Sequence, residues 1–569
     1  MVLLHTEVEF TFDTINQKLQ KMKKLYTLIF CLCAMLPASA QFSIDTLQPM
    51  NFCSITGSIE QMQIIKHPTN GYFAFWRAKP SGGQFKLYGQ RFDDDGNPQW
   101  TAGGKLIVSS VTQSVVGYQC TLFDGGILVT WRQAPASFGD SLFCKKINYS
   151  GNNLWTQPTL IATGGVSPIL SIEDYGIRAI PNDSGAFINY SVNYFGGLSG
   201  IQFHRIDFNG VLQWASPKTQ SLPGYVFYTK AGLQNTFYSI SQGNGLGSGI
   251  YIQKYNMQSV AQWPAPVDVS QGVSSNGAGG THNLMADNNG NIYFVWESAN
   301  SRVSLTKMNS SGNFVWTPNI KQTVSLANTT QSRMTSVYNN NNLFIAWLDN
   351  RISGQSTIYT QKYNTSGAAQ WTANGVQTAV CNGYYSYPKV AISDSGSVFC
   401  NYNFNDVTGE WKVAGQRIRS NGSLTWSDNG KVMASGNSAF LPYDVNRPVD
   451  DANGCNAVFW MDNSNGNLFG AKLCSNGMLV NINEPDVAGN NFSVFPNPAS
   501  DDVTIHFDEN QQTANTTLSL WDMQGKLLYS IEVKNNREVS VSIGDYAPGI
   551  YLIRVTNGIQ SSYRKLVIQ

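Results

Sequence analysis

The chain has 569 residues, a formal net charge of +1, 13% charged and 12% aromatic residues, and 52 glycines. That length exceeds one ordinary core, so several domains or a repeat array are expected, and the scarcity of charge favours short strands and tight turns over long helices. The near-zero charge excludes a basic face for nucleic acid, and no single-sign run suggests a tail for a lipid surface.

The first readable element is an export signal. Met22-Lys23-Lys24, an apolar run from Leu25 to Leu36 and Pro37-Ala38-Ser39-Ala40 supply the basic start, short core and small-residue exit of a signal peptide at 22–40, with cleavage near Ala40. The run is too short to cross a bilayer as a helix. Residues 1–21 are polar and unlike such a start, so Met22 reads as the initiator and 1–21 as a mis-assigned extension. No later segment reaches transmembrane length, so the mature chain is expected to be soluble, secreted or attached at the outer surface. Seven of the nine cysteines survive removal of Cys31 and Cys33, an odd number that leaves at least one thiol unpaired. If 461 faces 468 across a hairpin, antiparallel register places Cys455 opposite Cys474, which makes them a candidate disulfide.

Between 41 and 486 one pattern recurs. An apolar strand ends in Trp76, Trp131, Tyr190, Tyr238, Trp296, Trp347, Tyr402 or Trp460, at intervals of 48 to 59 residues. Further on come a basic residue (Arg91, Lys146, Arg205, Lys254, Lys307, Lys362, Arg417, Lys472) and then a turn residue (Gly96, Gly151, Gly210, Ser259, Gly312, Gly367, Gly422, Gly477). Four positions later stands Trp100, Trp155, Trp214, Trp263, Trp316, Trp371 or Trp426, with Asn481 in the last unit. Asp93, Asn148, Asp207, Asn256, Asn309 and Asn364 precede the turn in six units. Asp or Asn caps its own backbone two residues on, and Gly supplies the positive φ that closes a hairpin. Further strands are expected before each apolar strand, as at 61–65, 333–338 and 388–393, and after each repeat tryptophan, as at 105–110. Four strands per unit at this period describe a β-propeller of eight blades, or seven if the last unit does not count, better than a solenoid.

The turn-Gly-x-x-x-Trp spacing resembles the tryptophan-docking repeat of the eight-bladed quinoprotein-like propellers, across residues 45–486. The resemblance implies that the seven tryptophans lock each blade to its neighbour. It carries no activity. There is no adjacent-cysteine pair like that of the quinone-dependent dehydrogenases and no calcium-ligand set, so no cofactor is expected.

After a polar linker at 487–491, residues 492–569 alternate apolar and polar positions between turns and read as a small β-sandwich. Pro496-Asn497-Pro498 after an aromatic, the turn Asp522-Met523-Gln524-Gly525-Lys526, and Pro548-Gly549-Ile550-Tyr551 with Arg564-Lys565 near the end occur in that order. Residues 489–569 thereby resemble the Ig-like type A C-terminal sorting domain of the type IX (Por) secretion system of Bacteroidota. The resemblance implies Sec export, then outer-membrane passage with the secretion machinery as partner. Its motif residues here are Pro496, Asn497, Pro498, Gly525, Gly549, Tyr551 and Lys565.

Candidate chemistry is sparse. His67, His204, His282 and His506 fall in different units, and a metal site or triad would need them to converge. Asp93-Asp94-Asp95-Gly96 occupies the repeat's turn and lacks the further ligands of a calcium loop. The eight basic residues could form an anion ring around a channel. Their fixed place beside the turn suits better a cation over a neighbouring tryptophan or paired with a turn Asp. Sugar-stacking aromatics would come from loops: Tyr194, Phe195, Tyr384, Tyr385 and Tyr387. The acidic pairs Glu173–Asp174 and Asp450–Asp451 would serve a glycan-active enzyme only if two carboxyls met in one pocket. No catalytic, cofactor or metal set is assigned. The reading is a non-catalytic secreted binding or adhesion module for glycan or protein. The alternatives are a secreted hydrolase or lyase acting on glycans, and a structural role in a surface layer.

Overall fold

The computed structural model describes residues 50–479 and 492–569, apart from 55–56, 81–82, 111, 135–138, 166–168, 195–198, 221, 224, 234, 243–248, 273–281, 325–328, 353–354, 382–387, 395, 407, 428, 437–441, 444–448, 451–453, 463–466, 478, 508–515, 523–525, 534–537 and 558–559. The signal segment, the linker, Asn481, Gly525, Phe195, Tyr384, Tyr385, Tyr387 and Asp451 lie outside the described residues. The described chain is built of strands and divides into two units, 1–481 and 482–569.

The first unit is a succession of sheets. Seven consecutive four-stranded antiparallel sheets occupy 57–108, 114–163, 169–219, 225–268, 282–322, 331–381 and 389–436, each with its strands in sequence order. In the sixth these are Gln331–Asn339, Asn342–Asp349, Ser356–Asn364 and Val376–Cys381. The eighth sheet is composite. Cys455–Asp462 pairs with Asn467–Cys474, two short pieces (Pro442–Tyr443 and Val449–Asp450) lie along its inner edge, and the outer strand is Met50–Ser54 from the N-terminal end.

Each seam between sheets has its own apolar cluster. Phe75 and Ile107 of the first sheet meet Cys120 and Val129 of the second, and Leu128 meets Ile188 of the third. Phe187 meets Phe237, Tyr238 meets Phe294, Val295 meets Ile345, Ala346 meets Cys400, and Phe399 meets Val458. The eighth cluster returns to the start, with Phe459 and Leu468 packed against Trp76 and Phe92. Among the described residues, eight sheets joined by eight seams form a closed cycle, the arrangement of a β-propeller.

The repeat turn explains the regular seams. Asp93 Oδ1 accepts hydrogen bonds from the amides of Asp95 (3.1 Å) and Asn97 (2.8 Å), and Asn364 Oδ1 does the same for Ser366 and Ala368. The turn glycine then does two things. It takes positive φ, +76° at Gly367, and it presents a bare Cα to the preceding sheet's tryptophan. A Cβ at Gly367 would lie 2.8 Å from the Trp316 ring. Gly367→Ala is therefore expected to cost about 2–3 kcal/mol, from left-handed backbone plus overlap. Ser259 already sits at φ +63°, so Ser259→Gly should stabilise by about 0.5–1 kcal/mol. Denaturant midpoints check both, and a Gly367→Ala loss below about 0.5 kcal/mol would contradict the double role.

The second unit is a sandwich with its own core. A three-stranded sheet (Phe492–Phe495, Asp502–Phe507, Glu538–Ser542) faces a four-stranded one in the order Leu527–Val533, Thr516–Asp522, Gly549–Asn557, Gln560–Ile568. Phe492, Val503, Ile505, Leu518, Leu520, Ile553 and Leu566 are buried between them.

Candidate functional site

Most of the recurring residues are consumed by building the ring. Trp100, Trp155, Trp263, Trp316 and Trp371 donate their indole N–H to backbone carbonyls of the next sheet's turn: Tyr149 (3.0 Å), Phe208 (3.1 Å), Ser310 (3.0 Å), Thr365 (3.0 Å) and Ser420 (2.9 Å). Trp426 packs on Gly477. A buried indole needs a partner for its N–H, and the neighbouring turn supplies one at a fixed place.

The eight basic residues lie on the third strand of each sheet, not on the innermost one, so they form no ring at a channel. Their contacts also differ from a cation over the repeat tryptophan. Lys146 pairs with Asp124 (2.5 Å) over Phe123, Lys307 donates to the Thr365 carbonyl (3.2 Å) over Tyr293, and Lys362 lies over Phe344. Lys472 donates to the Asp94 carbonyl (2.8 Å), joining the eighth sheet to the first. The lysines that do lie over repeat tryptophans are Lys218 over Trp214 and Lys321 over Trp316, on the outermost strands. Lys105 instead reaches Ser150 O and Asn152 Oδ1 of the next turn.

Two further sets escape the sequence pattern. Gln90, Gln253, Gln361 and Gln416, each just before a repeat basic residue, donate to the carbonyls of Thr101, Trp263, Thr372 and Trp426 and so clamp the turn to its strand. Lys145 and His204 take that position in the second and third sheets. Lys145 Nζ donates to the Ile107 carbonyl (2.5 Å), and burial pulls its pKa down to about 8. The second set follows the strand-end aromatic. Arg77 donates to Val115 O (3.0 Å), Arg132 to Ile172 O (2.5 Å), and Glu297 accepts from the Met334 amide (3.0 Å). Each reaches the next sheet's innermost strand, a lateral lock at the end opposite the tryptophan. The dipeptides Trp76-Arg77, Trp131-Arg132 and Trp296-Glu297 were the available signal.

What remains is one face. In an up-and-down sheet the repeat turn and the first hairpin share one edge, so the second-to-third connections and the links between sheets share the other. These connections vary from 195–198 to 269–281, and most of the propeller's charged pairs lie beside them, Lys146–Asp124 being at the other edge. Arg77 pairs with Glu60 (2.5 Å), Arg132 with Asp140 (2.9 Å), and Lys412 with Asp406 (2.7 Å) and Glu410 (3.6 Å). The most enclosed pair is Asp349–Arg351 (2.7 Å), where Asp349 is fully buried and also accepts from Trp347 Nε1 (2.9 Å), and the Arg351 guanidinium lies 3.7 Å from the Tyr359 ring centroid. Burial opposes the charge on Asp349, yet hydrogen bonds from Arg351 and Trp347 outweigh it and hold the pKa below its usual value.

The pH dependence follows from that direction. With the folded pKa lowered, the pair's stabilisation is complete above the unfolded value of about 4 and is lost as pH falls through the folded one. Asp349→Asn is expected to cost about 1–3 kcal/mol at pH 7, with the gap to wild type narrowing in acid. Equal gaps at pH 7 and pH 3 in thermal unfolding would contradict this.

The other sequence candidates stay apart. His67 Nδ1 accepts from the Thr69 and Asn70 amides, and burial lowers its pKa. His204 is buried and stacked with Tyr190, and burial lowers its pKa too. His282 lies near Phe294, and His506 pairs with Glu538 in the second unit. No group of three metal-ligating side chains occurs among the described residues. Asp93–Gly96 is a hydrogen-bonded turn. Glu173 and Asp174 fall within strand Ile169–Asn182, and Asp450 within Val449–Asp450. Tyr194 ends the second strand of the third sheet, within 3.4 Å of Gln202 Nε2. Cys455 faces Cys474 in register, and the two sulfurs are bonded.

In the second unit the motif residues tie the chain end down. Asn497 Oδ1 accepts from the Val567 amide (2.8 Å), and Ala499 exchanges backbone bonds with Val567 and Gln569. Tyr551 donates to the Ala547 carbonyl (2.7 Å) beside Gly549, and Arg564 Nε donates to Phe492 O (3.3 Å). Asp522 and Lys526 close the middle turn, and Lys565 lies in the last strand.

Comparison with known proteins places this unit. Residues 493–569 match the family of the secretion system C-terminal sorting domain. An endo-acting ulvan lyase of Formosa agariphila is 29% identical over 90 residues, 16% of this chain and 17% of that protein. Among solved structures, the WD40 domain of SCAP from fission yeast is 9% identical, with 76% of this chain and 99% of that chain covered at a TM-score of 0.38. An α-L-arabinanase of Penicillium chrysogenum complexed with arabinobiose is 12% identical, with 53% and 94% covered at 0.31. No helix among the described residues is long and apolar enough to cross a membrane. Residues 493–569 are a secretion system C-terminal sorting domain, which marks this β-propeller chain for export by the type IX secretion system.

Proposed function

We propose that the propeller is a non-catalytic binding or adhesion module for an extracellular glycan or protein, displayed at the cell surface or released. The observation that carries this reading is the division of labour between its faces. Repeated side chains spend their hydrogen bonds on neighbouring sheets, while the opposite connections run from 195–198 to 269–281, and connections on a rigid scaffold are where ligand-binding residues belong. Fold alone names no ligand.

A glycan array and a hydrolase and lyase panel on the mature protein test it. Binding without turnover supports the proposal. Turnover abolished by a single carboxylate substitution replaces it with a glycan-active hydrolase or lyase on the same scaffold. That second reading is kept because an ulvan lyase shares a short stretch of sequence, although the stretch is too small a part of either protein to specify a substrate.

A further inference from the structure

The eighth sheet is held by a chain of dependences that the other seven lack. Its outer strand, Met50–Ser54, comes from the far end of the sequence and pairs only with Asn467–Cys474. That strand carries Phe52, which is buried and makes edge contacts with Trp76 (5.8 Å), Phe92 (5.0 Å) and Phe459 (5.9 Å). Phe52 thus plugs the seam where the ring closes, and position 481, where a docking tryptophan would be expected, is Asn. On the other flank, the seam to the seventh sheet holds Asn401 and Asn456, both fully buried and with neither amide hydrogen-bonded among the described residues. The one disulfide among the described residues joins the two strands of this sheet, Cys455 to Cys474.

We propose that the Cys455–Cys474 disulfide is the clasp of the ring. It fixes strand Asn467–Cys474 as the template on which Met50–Ser54 docks, and so holds the Phe52 plug in the closing seam. The five other described cysteines (Cys53, Cys120, Cys144, Cys381 and Cys400) are buried and take part in no disulfide, so among the described residues the oxidised pair is in this sheet. The bond forms by exchange with a disulfide oxidant outside the cytosol. One thiolate attacks the oxidant's disulfide, the second thiolate displaces the mixed disulfide, and the oxidant leaves as its dithiol, carrying the two electrons and, by way of solvent, the two protons the cysteines lose. Secure closure is thereby tied to export.

Hydrogen exchange of the mature full chain, oxidised and after reduction, tests the clasp, with thiol counting to establish the redox state. Exchange is expected to quicken at least about tenfold at 50–54 and 455–474 on reduction, with 331–381 unchanged. A Cys455→Ser/Cys474→Ser variant should show the same pattern without reductant. Phe52→Ala should reproduce it at 50–54 with the disulfide intact, which covers the case in which the double variant fails to fold. Acceleration spread evenly over all eight sheets, or none at 50–54, would overturn the proposal.

Discussion

Removal of residues 489–569 is expected to abolish surface display and leave the protein in the periplasm, with surface-exposed signal falling to background. The sorting domain has its own sandwich core. What the truncation takes away is the address. Protease accessibility on whole cells, set against periplasmic fractions, reads the outcome directly. A truncated chain displayed as well as wild type would show that export does not depend on this domain. A narrower test is Asn497→Ala, which deletes the side-chain acceptor for the Val567 amide. Such a cap is worth about 1 kcal/mol, enough to loosen the chain end while the sandwich stays folded.

Trp316→Ala is expected to be strongly destabilising, costing about 3–5 kcal/mol. The ring is 4% exposed, donates to Thr365 O, packs on Gly367 and lies under Lys321. Losing it opens a cavity in a seam and removes one of the two donors to the Thr365 carbonyl, leaving that of Lys307. Lys321→Met at the same place removes only a part-exposed cation over the ring and should cost under about 1 kcal/mol. Urea midpoints of the two variants separate packing from charge. A Trp316→Ala loss as small as that of Lys321→Met would mean that the tryptophan is not what locks the seam.

The architecture was legible because its signals are local and repeated. Turn Asn or Asp, turn Gly and tryptophan sit within ten residues of one another, and their chemistry recurs in most units. Strand limits moved modestly, as where the strand expected at 105–110 is Lys105–Val108 and that at 61–65 is Gly57–Lys66. Other features were hidden because nothing local encodes them. The outer strand of the eighth sheet comes from Met50–Ser54, more than 400 residues from its partner, and Asn51 reaches Asn467 across a separation of 416. A five-residue strand with no repeat word of its own gives no sign of that pairing. The repeat basic residues were read as lying over a tryptophan or pairing with a turn Asp; Lys146 does pair with Asp124 of the first hairpin, whereas Trp214 and Trp316 receive lysines from the outermost strand. Both kinds of lysine lie near the same turn in sequence, and only the neighbouring sheet decides which one reaches the ring. For the site, sequence could locate the varying connections but not say that they share one face; that follows from the strand order.

The measurement closest to the central claim compares ligand binding by the mature protein after two kinds of change. Once a glycan or protein ligand is found on an array, one variant exchanges the connection 269–281 for the short connection of another unit. A second carries Lys254→Met and Lys362→Met on the repeat. The account predicts that exchanging the connection weakens binding at least about tenfold with the fold intact, a change of about 1.4 kcal/mol, while the repeat variant binds as wild type. Binding lost in the repeat variant with unchanged stability, and kept after the exchange, would contradict it.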